Sequence, residues 1–335
     1  MTSPISEPSG EASAVHVARW LPFAVALIVA TILTSMLWLQ GNAQEEFIAR
    51  DRQTQMKLVG GTLAGAFDQA GKFASALAEA NARRAEVAAA LAAGDRARLL
   101  ALSQSGYDYL SRQAGVQIYG YHTRDLRYLL RMHRLEASGD DISGFRPMIV
   151  AANRAKRPQA GIEIGIAGIG IRGVALVNDG GDFAGTAEIG LDLRPLLELV
   201  KASTNADLAV IVAPAVAGVA LDPKLPSFGE LTLAASTDDA LFSALMQATK
   251  LRPLRDTMIG RQTIGDRHYS MITQPLVDFS GRFVGMTLAL KPHAASESRR
   301  LGTELWVVAI CGGILAFIAF AVLLRVAARR EKALS

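Results

Sequence analysis

Two uncharged runs of 20 residues bracket this chain: Trp20–Leu39 (WLPFAVALIVATILTSMLWL) and Leu305–Leu324 (LWVVAICGGILAFIAFAVLL). A helix of about 20 apolar residues matches the ~30 Å hydrocarbon core of a bilayer. Trp20, Trp38 and Trp306 stand near the run ends, where indole favours the membrane interface. The runs therefore predict two membrane crossings, 20–39 and 305–324, with the tails 1–19 and 325–335 on one side. Arg325, Arg329, Arg330 and Lys332, against Glu331 alone, predict that side to be cytoplasmic and residues 41–304 to lie outside the cytoplasm. The first run exceeds the usual signal-peptide core, which favours an uncleaved anchor, although Gly41–Ala43 is a passable cleavage site. The only cysteine, Cys311, lies inside the second run, so the intervening region has no disulfide or cysteine-metal site. A net charge of +4 is too diffuse to argue for nucleic acid.

Between the runs, the hydrophobic period changes twice. Residues 41–105 are alanine-rich with charges at helical spacing and predict stalk helices. "FASALAEANARRAEVAAALAAGD" reads as one amphipathic helix stopping at Gly94, with Asp95 capping a successor. Residues 106–200 then predict a module of strand, strand, helix and three strands. The strands are GVQIYGYHT, YLLRMHRL, Ile162–Ile166, Ile169–Val177 and Phe183–Leu191, and the helix is DDISGFRPMIVAANRAK. Residues 201–292 predict a similar module. GDFAG at Gly181–Gly185 and GRFVG at Gly281–Gly285, 100 residues apart, suggest duplication. The fold class is thus α+β: a long stalk helix, then two antiparallel-sheet modules, flanked by two transmembrane helices.

Gly168-Ile169-Gly170-Ile171-Arg172-Gly173 formally matches the dinucleotide fingerprint G-x-G-x-x-G. That motif needs a helix opening after its glycines, whereas VALVNDGGDFAG follows here, a strand and a turn. The alternation instead predicts a hairpin at Ala167-Gly168, with Glu163 opposite Arg172 and Gly165 opposite Gly170. A three-residue loop at Asp179–Gly181 then sets Arg172 opposite Glu188 and Gly170 opposite Gly190. Gly165, Gly170 and Gly190 form the floor of a depression beside a row of charges, since strand glycines often mark close approach by a ligand or another backbone. Tyr119 with Tyr121, and Arg131 with His133, are expected on the same face. Such a mixture suits a small polar metabolite. The alternative is a solvated charge ladder.

The ordered set LLRMH, GDDISGFR, GIEIG, GIGIRG and EIG resembles the double Cache sensor family of bacterial chemoreceptors and sensor kinases. The closing PLVDFSGRFVGMTLAL resembles the last hairpin of Cache modules. The resemblance implies two PAS-like modules on a stalk helix, with ligand held in the membrane-distal one. It implies a place in the bacterial inner membrane. By position, Arg131, His133, Asp140, Asp141, Arg146, Glu163, Arg172 and Glu188 match its polar motif residues, Asp140 and Asp141 also suiting a helix cap. The aromatic-rich arginine motif of amino-acid-binding relatives is not evident, and no HAMP, kinase or cyclase segment follows the second run.

The expected function is a membrane-anchored sensor of a small polar solute, carboxylate favoured, bound by Tyr119, Tyr121, Arg131, His133, Arg146, Glu163, Arg172 and Glu188. The signal is expected to pass to a separate partner, with homodimerisation or helix–helix contact and membrane lipid as further partners. A ligand-independent docking protein is the alternative. No nucleophile–base set, HExxH or P-loop appears, so neither an enzyme nor a cofactor or metal is expected.

Overall fold

The computed structural model describes residues 10–165, 168–218 and 221–293, together with short runs and single residues between 310 and 329. It divides into two units, Gln53–His293 and residues 1–52 with 294–335. In the latter unit, Trp20–Leu39 lies within the first helix, but the side chains of 20–24 and 26 are outside the described residues, as is most of Leu305–Leu324. Among the described residues no helix is long and apolar enough to cross a membrane.

The remaining structure is built on α1 (Gly10–Ala82). Met56, Val59 and Leu63 bury against the second module, and Ala74, Ala78 and Ala82 against the first. Alanine on that turn lets the backbones touch. A Cβ on Gly173 of the first sheet would lie 2.2 Å from the amide nitrogen of Ser75, so only glycine fits beneath the helix. The continuous helix expected as far as Gly94 is broken at Arg84, whose backbone is extended. Just before the break, the Asn81 amide turns inward to donate to the Tyr121 hydroxyl at 2.7 Å. The chain folds back as α2 (Ala85–Ala92), burying Val87 and Leu91 on the sheet rather than continuing into solvent. Gly94 then turns with φ +66°, and α3 (Arg96–Ala114) starts where Asp95 accepts from the Arg98 amide at 2.9 Å.

The first sheet comprises β1 (Val116–Thr123), β2 (Tyr128–Arg131), β3 (Gln159–Gly165), β4 (Gly168–Asp179) and β5 (Asp182–Leu191), ordered β2-β1-β5-β4-β3 and antiparallel throughout. One face packs on α1–α3; the other is roofed by α4 (Pro147–Ala155). The helix expected from Asp140 begins only at Pro147, because residues 139–141 pair instead with the start of β2: Gly139 donates to Tyr128 and Tyr128 to Asp140. Proline in the first turn is tolerated, since its missing N–H would be unsatisfied there anyway.

Helix α5 (Leu193–Thr204), absent from the sequence expectation, connects the modules. The second contains β6 (Asp207–Val212), α6 (Pro214–Ala217), β7 (Ser227–Phe228), β8 (Leu231–Ser236), α7 (Asp239–Ala248), β9 (Met258–Ile264), β10 (Arg267–Val277) and β11 (Phe283–His293). Its order, β7-β8-β6-β11-β10-β9, repeats the first module's once the short β7 is set aside. The glycine echo is also real in space. A Cβ on Gly185 would meet the His122 carbonyl oxygen at 2.0 Å, and one on Gly285 the Ile211 carbonyl oxygen at 2.1 Å. Each glycine follows the extra residue of a bulge in its own strand, Ala184 opposite Val177/Asn178 and Val284 opposite Leu276/Val277.

Candidate functional site

The roofed face of the first sheet carries Ile118, Gly120 and His122 on β1, Glu163 and Gly165 on β3, Arg172 and Val174 on β4, and Glu188 and Gly190 on β5. On β3, β4 and β5 the faces are those expected, but both registers slip by two residues. Glu163 opposes Gly170, Gly165 opposes Gly168, Arg172 opposes Gly190, and Val174 opposes Glu188. The observed register sets Ile162 against Ile171 and Ile164 against Ile169 on the buried opposite face, matching apolar pairs there. The second turn is also tighter than expected. Asp179 pairs with Asp182 across Gly180-Gly181, whose φ values of +58° and +101° suit a two-residue hairpin, and the extra residue becomes the irregularity at Val177/Asn178.

The charges converge all the same, because α4 brings a second arginine down from above. Arg146, immediately before α4, donates from Nε and Nη2 to Glu163 Oε2 at 3.3 and 2.9 Å, and from Nη2 to Glu188 Oε1 as well. Arg172 donates from Nη1 to Glu188 Oε1 at 2.9 Å, and its Nε lies 3.2 Å from Glu163 Oε2 without hydrogen-bond alignment. Glu163 Oε1 accepts from the Met148 amide at 2.9 Å, and Glu188 Oε2 from the Tyr128 hydroxyl at 3.1 Å. All four charged residues are buried. Burial alone would push the Glu188 carboxyl up, but the guanidinium groups of Arg146 and Arg172 together hold it well below the usual carboxylate range. Arg146 is likewise raised, since Glu188 and Glu163 outweigh its desolvation. The result is a four-residue network of two arginines and two glutamates with no net formal charge.

His122 and Tyr128, which the sequence reading passed over, complete this layer. The His122 Nδ1 lies 3.0 Å from Thr186 Oγ1 and its Nε2 3.5 Å from Glu188 Oε2; burial lowers the imidazole from its ordinary value. The Tyr128 phenol lies across Gly120, where a Cβ would be 2.5 Å from its hydroxyl oxygen. Burial, then the Glu188 charge, raises its proton affinity. Their signal was in the sequence: on β1, Gly120 alternates with His122 and leaves room for a ring.

Above the network lies a cavity of about 240 Å³, lined among others by Ile118, Tyr128, Arg131, His133, Arg134, Asp140, Phe145, Arg146, Gly165 and Arg172. Arg131 stacks on the Tyr128 ring, its Cζ 3.6 Å from the centroid, and makes a bidentate pair with Asp140 at 2.7 and 2.6 Å. That hydrogen bonding lowers the Asp140 carboxyl. Asp141 does not face the cavity; it accepts from the Ser143 amide at 2.9 Å. His133, depressed by partial burial, stands at the rim.

Three expectations are corrected. Tyr119 and Tyr121 lie on the opposite face, opposite Ile189 and Ala187 and packed against α1–α3. There the Tyr121 hydroxyl meets Asn81 and, at 2.6 Å, Ser103. Of the three glycines, only Gly165 lines the cavity. Gly190 is covered by Ile118, 2.8 Å from where its Cβ would be, and Gly170 lies beside the Leu191 carbonyl. The glycines do permit close approach, but by the protein's own side chains and backbone. Lastly, the 100-residue offset of the glycine echo becomes 99 between β4 and β10, because the β10–β11 turn is one residue longer than the β4–β5 turn, so Met271 stands in the place of Arg172. Glu188 still falls on Leu288, leaving the second module without the charged pair.

The topology and site accompany a family match. Solved structures similar to this chain include the periplasmic domain of Vibrio cholerae LuxQ (12% identity, 71% of this chain and 100% of that one, TM-score 0.43). The V. cholerae histidine kinase DctB sensor domain is similar at 11% identity, covering 75% and 99%, with a TM-score of 0.42. The sensory domain of the Campylobacter jejuni chemoreceptor Tlp3 with isoleucine bound is similar at 12% identity, covering 77% and 97%, with a TM-score of 0.45. No curated protein matches by sequence. The family model described as the double sensory domain of two-component sensor kinases matches residues 52–295, and with that match the chain belongs to the double Cache sensor family.

Proposed function

We propose that this protein is a membrane-anchored extracytoplasmic sensor that binds a small polar solute in its first, membrane-distal module. The observation that carries this reading is the cavity over the buried Arg146–Glu163–Arg172–Glu188 network, formed in the first module and without a charged counterpart in the second. A pocket of fixed polar groups and apolar walls is the usual form of a small-molecule site. Trp20–Leu39 and Leu305–Leu324 serve as the anchors, their length matching a bilayer. β11 ends at His293, from which the chain runs to the second anchor, so the signal leaves through that segment to a separate partner. The protein acts by binding: in the strongest side-chain cluster every carboxylate oxygen is already engaged by a protein group.

A second reading, a docking module that needs no ligand, draws on the same network, because every glutamate oxygen already has a protein partner. The two separate in a thermal-shift screen of the full chain in micelles against metabolite classes. A ligand at 100 times its dissociation constant stabilises by about 2.7 kcal/mol, whereas a docking module answers to no small solute.

A further inference from the structure

The sequence favours a carboxylate without excluding an amine, since two arginines and two glutamates in a row could receive either. The structure separates their roles by depth. Both Glu163 oxygens and both Glu188 oxygens are taken up by Arg146, Arg172, Met148 and Tyr128, and both glutamates are buried outright. No glutamate lines the cavity. The arginines are spent only in part. Arg146 uses Nε and Nη2, and Arg172 uses Nη1 with Nε against Glu163. Among the described residues, neither Nη1 of Arg146 nor Nη2 of Arg172 has a protein partner, and neither is an enclosed orphan, while both residues line the cavity.

From this geometry we infer that the site takes a compact organic carboxylate, its charge received by the unspent edges of Arg146 and Arg172; the inference rests on the sensor reading above. The glutamates act as positioning residues. They hold the two guanidinium planes still, so a ligand does not have to order them, which is the main cost of binding to flexible arginines. Because the network is neutral by itself, the incoming anion adds charge that only the rim can balance. Arg131 there is already paired with Asp140, whereas Arg134 has no ion-pair partner among the described residues. An amine would find one carboxylate, Asp140, already held bidentate and flanked by two arginines. Ile118, Phe145 and the Tyr128 ring supply apolar wall, so an organic acid matches the cavity better than a bare inorganic oxyanion. The volume corresponds to about eight waters, which limits the ligand to a short acid.

The test uses the full chain in micelles and matched probes: acetate, propionate and succinate against acetamide, propionamide, succinamide and propylamine, with phosphate and sulfate as inorganic anions. At least one carboxylate should raise the melting temperature in a saturable way and bind about 10-fold or more tightly than its amide, since charge-assisted hydrogen bonds are about twice as strong as neutral ones. Arg134→Gln, at the exposed rim, should weaken that acid about 3-fold without altering the unliganded melting temperature. Binding of amides or propylamine with the acids inert overturns the anion assignment and leaves the sensor reading standing. Saturable binding of phosphate or sulfate alone overturns the organic part. Silence from every class overturns this inference and leaves the sensor reading to the wider metabolite screen.

Discussion

The backbone N–H of Phe279, in the β10–β11 turn of the second module, donates to the carbonyl oxygen of Ile162 at 2.8 Å, one residue from Glu163. The Phe279 ring packs against the cluster of Tyr128, Met148, Ile149 and Val174 beneath α4. Asp278 makes the turn rigid by accepting from the amide and hydroxyl of Ser280 and from the amide and Nε of Arg282. One end of the β10–β11 hairpin thus touches the layer that holds the charged network, and the other ends at His293. Phe279→Ala should lower stability by about 1–3 kcal/mol, less than a fully buried phenylalanine because the ring is half-buried. If the hairpin carries the signal, carboxylate affinity persists while the cellular response falls. A full response from a folded variant rules this route out.

Gly161 makes that junction possible. Its φ of +134° disfavours any L side chain, and a Cβ there would lie 3.3 Å from Phe279 Cβ. Gly161→Ala should cost about 1–3 kcal/mol by combining backbone strain with displacement of the turn. Urea unfolding of Gly161→Ala, Phe279→Ala and the double variant measures their coupling; strict additivity would show that the two act separately.

The sequence disclosed the strand faces of β3, β4 and β5 because apolar alternation is local, but pairing register was not fixed by alternation. A slip of two residues keeps every side chain on its face, and Ile171 meets an isoleucine in either register, Ile164 in the expected one and Ile162 in the observed one. β1 was ambiguous for another reason. VQIYGYHT carries bulky groups on both faces, and only the folding back of α2 and α3 decides that Tyr119 and Tyr121 are covered by helix. Helix α5 was readable: Asp192 caps it by accepting from the Arg194 amide at 3.3 Å, and Leu193, Leu197 and Val200 keep helical spacing. Arg146 was identified by motif, but its descent into the network depends on α4 crossing the sheet, a tertiary fact with no local signature.

The two tyrosine faces give a paired test. Tyr121→Phe removes the hydroxyl shared by Asn81 and Ser103 and should destabilise by about 1–2 kcal/mol with ligand affinity unchanged. Tyr128→Phe removes a donor to Glu188 at the cavity wall, so it should alter affinity as well. Equal effects of both changes on binding would contradict the assignment of faces.

Acid titration is the last test, and its sign follows from burial. His122 is lowered from its ordinary value of about 6.5, because the imidazole is enclosed, even though Glu188 opposes the shift. His133 is lowered in the same direction by partial burial. Between each folded value and 6.5 the unfolded chain binds more protons than the folded one, so stability rises with pH across that window. It is fully present above about pH 6.5 and is lost as pH falls toward the folded values, at up to about 1.4 kcal/mol per pH unit for buried His122 and by less for His133, which solvent screens at the rim. Glu188, also lowered, adds a second loss of the same sign below the ordinary carboxylate range. His122→Gln should flatten the upper window and leave the lower one, with the residual slope near pH 6 belonging to His133. Urea unfolding of the wild-type and variant chains from pH 8 to pH 4 reads both windows. A wild-type stability that is flat or rising on acidification through pH 6 would mean that the imidazole of His122 is not held neutral against Glu188.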